Sequence, residues 1–228
     1  MTDLPCFIHG PAAGTRPSAC VVLLHGLGAD GADLIELAPA LAETLPGAVF
    51  LAPDGPQPCD LAPFGRQWFS LQSRLPADLT RGIEAASPVL AGFLQATLDR
   101  FGLPASALAL VGFSQGAMMA LHTGLRMVEP PAALVGLSGR FLAAGDLPAA
   151  SRPPVLLVHG EADDVVPFSE MAAARQALAR LGVPVEAHAR PGLGHAIDPE
   201  VLQLTGRFLR RHLPMGASPG PQSRGEPS

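Results

Sequence analysis

The chain contains no lysine, tyrosine or asparagine, so all fifteen of its basic residues are arginines. These absences exclude lysine Schiff bases, the phosphate-binding lysine of P-loop proteins and tyrosine general acids. Charged residues make up only 15% of the chain against 48% hydrophobic residues, which places most of it outside the disordered class. The net charge of −5 at pH 7 gives no reason to propose nucleic acid or an anionic membrane as a partner.

Cysteine is scarce, and long apolar runs are missing. Cys6, Cys20 and Cys59 are odd in number and form no C-x-x-C pair, which argues against a disulfide framework and favours a reducing compartment. We find neither a secretory leader pattern nor an apolar run near the roughly 18 residues that span a bilayer. We therefore expect a cytoplasmic protein without stable membrane insertion. No ligand spacing resembles a metal site, and we expect neither metal nor cofactor.

Short apolar segments alternate with longer amphipathic ones along most of the 228 residues. The apolar segments, which we interpret as strands, are 6–9, 19–25, 47–53, 107–113, 132–138, 154–160 and 184–190. The amphipathic segments, which we interpret as helices, are 33–45, 78–101, 114–127, 167–181 and 199–213. This rhythm predicts an α/β fold in which a mostly parallel sheet is covered by helices on both faces. Pro88 should either kink the second helix or open a new one capped by Ser87.

One domain, 1–213, accounts for all of these elements. The remaining segment, 214–228, has neither periodicity nor aromatic residues, and we expect it to be disordered. The connection between the third strand and the second helix is unusually long and carries Phe64, Trp68 and Phe69. These three aromatic residues are candidates for an apolar wall that receives an acyl chain, although Trp68 and Phe69 fit a buried core equally well.

The most specific motif is G-x-S-x-G, from Gly112 to Gly116, placed between a predicted strand and a predicted helix. A strand that turns at once into a helix forces Ser114 into a strained conformation and exposes its hydroxyl oxygen. The amide of Gln115 and the positive helix end can then stabilise a developing oxyanion. The alternative is a chance match with Ser114 as an ordinary helix cap.

A serine nucleophile needs a histidine base and an acid that orients it, and these follow in the order serine, acid, histidine. Asp163 and Asp164 occupy a turn after one apolar strand, and His195 lies in a glycine-rich loop after the next. We favour Asp163 as the acid, because neighbouring side chains in a turn point apart. His25 and His159 end apolar strands, and we interpret them as locally hydrogen-bonded residues.

Gly26, Gly28 and Gly31 also spell G-x-G-x-x-G, the pattern of a loop that binds a dinucleotide pyrophosphate. Asp54 stands near the position expected for a ribose-binding acid, but it lies inside a P-D-G-P turn. A cofactor loop would also leave Ser114, Asp163 and His195 unexplained. We therefore interpret the loop as the source of the second amide of an oxyanion site. In hydrolases with a G-x-S-x-G motif, this amide comes from a loop after an earlier strand.

Together the segments LLHGLGADGADL, PDGP, GFSQGAMMAL, GLSG, HGEADDVVP and GLGHAI resemble the carboxylesterase/phospholipase family of α/β-hydrolases, which includes the acyl-protein thioesterases. RQWFSL resembles the W-F segment of several members. The resemblance implies an α/β-hydrolase fold without a large helical cap. It also implies Ser114 as nucleophile, Asp163 as acid, His195 as base, and the amides of Leu27 and Gln115 as oxyanion donors.

The sequence thus predicts a serine esterase for short to medium acyl esters, whose activity should fall below about pH 6.5 because the histidine base must be neutral. A thioesterase or lysophospholipase is the alternative within the same chemistry. A hydrolase-fold binding protein without turnover is the alternative from another class. The partner is a small acyl ester, and the sequence leaves open a homodimer.

Overall fold

The computed structural model describes residues 4–11, 14–142 and 152–214, and its framework is a seven-stranded sheet. The strands of this sheet are β1 (Cys6–His9), β2 (Ala19–Leu24), β3 (Ala48–Pro53), β6 (Leu108–Phe113), β7 (Ala133–Leu137), β8 (Val155–Gly160) and β9 (Val185–Arg190). A separate hairpin pairs β4 (Gln57–Pro58) with β5 (Arg66–Gln67). The order across the large sheet is β1-β3-β2-β6-β7-β8-β9, and only β1 runs antiparallel to its neighbour.

Helices cover both faces of the sheet, as the sequence predicted. In the described part of the chain they are α1 (Gly31–Ile35), α2 (Ala38–Thr44), α3 (Pro76–Phe101), α4 (Gln115–Gly124), α5 (Ser169–Arg180) and α6 (Pro199–His212). Successive side chains of β2 point to opposite faces of the sheet. Val22 packs in the core under α3, α4 and α5, whereas Val21 packs in the core under α1, α2 and α6. Every residue of α4 is buried, so the helix that follows Ser114 lies at the centre of the fold.

One helix prediction needs correction, and one of the two alternatives for Pro88 is excluded. The helix expected over 33–45 is divided into α1 and α2, because Pro39 in the first turn of α2 has no N–H to bond the preceding turn. Pro88 lies inside the continuous helix α3, and Ser87 does not cap a new one. The hydroxyl of Ser87 instead lies 2.9 Å from the hydroxyl oxygen of Thr123 on α4, which ties the two helices together.

The turns that follow β2, β6, β8 and β9 share the carboxyl-terminal edge of the parallel sheet. These turns carry Leu27, Ser114, Asp163 and His195 respectively. Ligand sites of open α/β sheets form at this edge. The segment 214–228, expected to be a disordered tail, lies outside the described residues except for Pro214. None of the described helices combines the length and apolarity needed to cross a bilayer.

Candidate active site

Ser114 occupies the sharp turn between β6 and α4. Its backbone angles, φ 54° and ψ −114°, lie in a region that residues other than glycine rarely adopt. The turn also needs glycine on both sides. A Cβ on Gly116 would lie 1.9 Å from the carbonyl oxygen of Leu24, and one on Gly112 would lie 2.1 Å from the carbonyl oxygen of Gly116. The packing therefore enforces the strained serine that the sequence motif predicted, at the head of α4.

Asp163 is the carboxylate that contacts His195. Its Oδ2 accepts a hydrogen bond from Nδ1 of His195 at 2.8 Å, and its Oδ1 accepts the backbone N–H groups of Val165 and Val166 at 2.9 and 2.8 Å. Burial raises the pKa of Asp163, but these three hydrogen bonds, together with the electrostatic attraction of His195, hold the pKa below its usual value. The neighbouring Asp164 is exposed. A charged, fixed acceptor thus orients the imidazole.

A second imidazole lies beside the same carboxylate. Nε2 of His159, a buried residue in β8, is 2.9 Å from the carbonyl oxygen of Val166 and 3.2 Å from Oδ2 of Asp163. The sequence interpretation of His159 as a locally bonded residue agrees with the first contact. Sequence reasoning did not predict the contact between His159 and Asp163. The two residues are only four positions apart in the chain, which could have suggested that they lie close together.

His195 is held by the loop between β9 and α6. Its ring packs against that of Phe113, the residue before Ser114, with the ring centroids 4.7 Å apart. Arg190 at the end of β9 reaches across the base of the loop, 2.8 Å from Oδ2 of Asp198 and 2.7 Å from Oε2 of Glu200. These ion pairs close the loop, and sequence reasoning had not found them.

The two amides expected to bind an oxyanion, those of Leu27 and Gln115, lie just after two different strands, β2 and β6. A Cβ on Gly26 would lie 3.3 Å from Cβ of Ser114, so the loop after β2 passes directly beside this serine. The N–H of Gly28 donates to the carbonyl oxygen of Arg66 at 2.9 Å, whereas the N–H of Leu27 has no hydrogen-bond acceptor among the described residues. The N–H of Gln115 begins α4 and has no carbonyl of a preceding turn to bond.

Ser114 and His195 open onto a cavity of about 170 Å³. Most of the residues that line the cavity are apolar. Two arginines, Arg74 and Arg140, also line it, and sequence reasoning had not predicted them. The described lining consists of Leu27, Leu71, Arg74, Leu79, Ser114, Met118, Arg140, Val165, Val166 and His195. The lining therefore offers an apolar surface beside Ser114 on which a hydrocarbon group can pack.

The aromatic wall expected from the long connection is not part of this cavity. Trp68 and Phe69 are 1% and 2% exposed and pack in the core between α3 and the sheet. Phe64 is 75% exposed, and none of the three belongs to the described lining. The core interpretation that the sequence left open for Trp68 and Phe69 is correct, because both side chains are buried in the core cluster that includes α3.

Comparison with known proteins identifies the group to which this chain is related. The model of the phospholipase/carboxylesterase family matches residues 11–213. The chain belongs to the phospholipase/carboxylesterase family. Esterase YpfH of Escherichia coli K12 is 31% identical over 85% of this chain and 83% of its own length. Acyl-protein thioesterase 1 of Gibberella zeae is 28% identical over 89% of this chain and 94% of its own length.

A solved structure supports the same assignment. The crystal structure of esterase PE8 superimposes with a TM-score of 0.84 at 42% sequence identity, covering 92% of this chain and 98% of that protein. Membership of the phospholipase/carboxylesterase family makes the protein a hydrolase. The predicted α/β-hydrolase fold is confirmed by the sheet and by this structural neighbour.

Proposed function

We propose that the protein is a serine carboxylesterase that cleaves short to medium acyl esters through Ser114, His195 and Asp163. The observation that carries the proposal is the 2.8 Å contact between Nδ1 of His195 and Oδ2 of Asp163 at a cavity that Ser114 also lines. This bond makes Nδ1 the donor, so Nε2 of the neutral ring is the base. The tautomer is therefore the one that general-base catalysis requires.

The proposed reaction proceeds through an acyl-enzyme. Nε2 of His195 takes the proton from Oγ of Ser114 as Oγ attacks the ester carbonyl carbon, and the resulting oxyanion accepts hydrogen bonds from the amides of Leu27 and Gln115. His195 then gives the proton to the departing alcohol oxygen. Water, activated by the same imidazole, releases the acid. Each oxyanion donor contributes a rate factor of roughly 10² to 10³.

Substitution of the nucleophile tests this chemistry. Ser114→Ala should abolish both ester turnover and labelling by a fluorophosphonate probe. Ser87→Ala, which removes a serine hydroxyl between α3 and α4, is the matched control and should retain both. A Ser114→Ala protein that keeps turnover would refute the mechanism. Absence of both turnover and labelling in the folded native protein would support a binding protein of the same fold instead.

Acyl thioesters are the second candidate substrates, because relatives include acyl-protein thioesterase 1 of Gibberella zeae. Pure protein assayed against aryl esters, acyl-CoA thioesters and lysophospholipids over a range of chain lengths separates these classes by kcat/KM. The esterase proposal expects the highest value for short or medium aryl esters. Cys6, Cys20 and Cys59 are free thiols, which supports our further proposal of a cytoplasmic location.

A further inference from the structure

Three buried polar side chains beside the proposed oxyanion site take no part in the proton transfers. His25 and Gln115 are 0% exposed and Trp68 is 1% exposed. Buried polar groups are costly unless they are hydrogen-bonded, and an apolar core would need none of them. Their hydrogen bonds therefore identify what they hold in place.

The side-chain amide of Gln115 forms two hydrogen bonds to the backbone of the segment that contains Trp68. Its Oε1 accepts the backbone N–H of Trp68 at 2.9 Å, and its Nε2 donates to the carbonyl oxygen of Phe69 at 2.7 Å. Both bonds of the side-chain amide thus go to the same short stretch of backbone. Since the backbone N–H of Gln115 is a proposed oxyanion donor, the Trp68 segment is fixed relative to that donor.

The indole of Trp68 reaches the other half of the site. Its Nε1–H donates to the carbonyl oxygen of His25 at 3.0 Å, and the two rings lie 5.5 Å apart between centroids. His25 is two residues before Leu27, the other proposed donor. One tryptophan therefore connects the turn after β2 with the turn after β6.

The ring of His25 completes the connection. Its Nε2 accepts the backbone N–H of Gly55 at 2.8 Å, so the proton resides on Nδ1, which lies 2.7 Å from the carbonyl oxygen of Gly26 and donates to it. Burial lowers the pKa of His25, in keeping with this neutral tautomer. The peptide group between Gly26 and Leu27, which supplies the Leu27 N–H, is thereby fixed through its own oxygen.

We propose that Trp68, Gln115 and His25 form a positioning network, the oxyanion bracket, that sets the spacing and direction of the Leu27 and Gln115 amides for the tetrahedral intermediate. This inference rests on the proposed esterase function. The three side chains do not touch the reacting atoms, and they act through the two amides. The bracket should stabilise the transition state more than the bound ester, because only the negatively charged oxygen of the transition state needs hydrogen bonds from both amides at once.

Two variants remove single parts of the bracket. Trp68→Phe keeps an aromatic ring and loses one N–H donor, and Gln115→Met keeps the side-chain length and loses both amide contacts. We expect kcat to fall about tenfold or more with KM within about threefold, since small displacements of catalytic groups cost large factors in rate. Affinity for an alkyl boronic acid, which forms a tetrahedral adduct with the nucleophile, should fall by a similar factor.

The matched control is Gln67→Met. Gln67 is also buried, one residue before Trp68, but its side chain accepts the N–H of Asp60 and donates to Gln57 within the connecting segment. This variant should keep kcat and boronate affinity near the native values. Equal losses in the control, or bracket variants that lose thermal stability while the folded fraction keeps native kcat, would overturn the bracket.

A measurement on the unaltered protein gives an independent test. Trp68 is the single tryptophan, so the nuclear magnetic resonance spectrum contains one indole N–H signal. Boronate binding should shift this signal, because the oxyanion polarises the loop to which the indole is bonded, and the alcohol product should shift it much less. An unmoved signal with bound boronate would contradict the bracket. Absent turnover and labelling of the native protein would instead refute the esterase proposal itself.

Discussion

Oδ2 of Asp163 lies 2.8 Å from Nδ1 of His195, although the two residues are 32 positions apart and come from loops after different strands. The adjacent Asp164 points to solvent. One loop therefore presents two carboxylates, of which only that of Asp163 contacts the imidazole. A comparison of variants at the two aspartates separates the role of this contact from the general effect of removing a negative charge.

Asp163→Asn should lower kcat by about 10³ to 10⁴ while the fold persists, because the amide can still accept from Val165 and Val166 but no longer fixes the histidine tautomer. Asp164→Asn removes the same charge and should change kcat less than threefold. Steady-state kinetics with an aryl ester measures both. Similar losses in the two variants would show that Asp163 does not have the proposed role.

Gly116→Ala should destabilise the protein by about 2 to 4 kcal/mol, since its Cβ would meet the Leu24 carbonyl oxygen at 1.9 Å and the turn cannot relax without moving β2. Gly92→Ala is the control within α3, where the new Cβ would meet no atom within 4 Å other than its chain neighbours and the backbone of its own helix. It should stabilise by about 0.5 to 1 kcal/mol. Urea denaturation of both variants checks the opposite signs, and an unchanged midpoint for Gly116→Ala would be inconsistent with the packing.

Acid should weaken the fold through His122 in α4. Burial, and then the charge of Arg126, lower the pKa of His122 to about 4, and its Nδ1 has no hydrogen-bond partner in the described structure. Between its ordinary pKa of about 6.5 and 4, the unfolded chain binds a proton that the folded chain excludes, so the free energy of unfolding falls as the pH falls.

His122→Leu should therefore lose less stability than the native protein between pH 7 and pH 4.5. The pKa of His25 is also lowered, but His25 is present in both proteins and its contribution cancels in the comparison. Denaturant titrations at several pH values give the slopes. Parallel slopes for the two proteins would mean that His122 is not the group that binds the proton.

Arg190 should support catalysis through the loop that carries His195. Arg190→Met removes the ion pairs to Asp198 and Glu200, and we expect kcat to fall about tenfold with little change in KM, because His195, the proposed base, would move relative to Ser114. Arg211→Met removes the ion pair with Glu186 near the start of β9, at the end of the strand away from the loop, and should leave kcat unchanged. Kinetic constants that stay native in Arg190→Met would rule out this role.

The strands and the strained turn at Ser114 could be predicted because their signals are local. Short apolar or β-branched runs, most of them continuously apolar, located all seven strands of the large sheet, and the motif around Ser114 predicted its strained turn. The order of strands across the sheet could not be derived, since it depends on which strands pair over long distances in the chain. The division of the helix over 33–45 was also missed, although Pro39 was a visible local signal.

Side-chain partners depend on the assembled fold and were harder to predict. Trp68 and Phe69 carried an aromatic signal that fits either a cavity wall or a core, and only their position beneath α3 decides for the core. Gln115 was considered only for its backbone amide, because nothing nearby in the sequence indicates that its side chain binds the Trp68 segment. Contacts between separate connections are not encoded in periodicity or spacing.

Mapping a covalent adduct tests most directly whether Ser114 is the nucleophile. The native protein is treated with a fluorophosphonate, its intact mass is measured, and the digested protein is sequenced by mass spectrometry. We predict one adduct per chain on Ser114, formed at the rate at which esterase activity disappears, and no adduct in Ser114→Ala. An adduct on another residue that accompanies the loss of activity, or full activity in the protein modified at Ser114, would contradict the proposed mechanism.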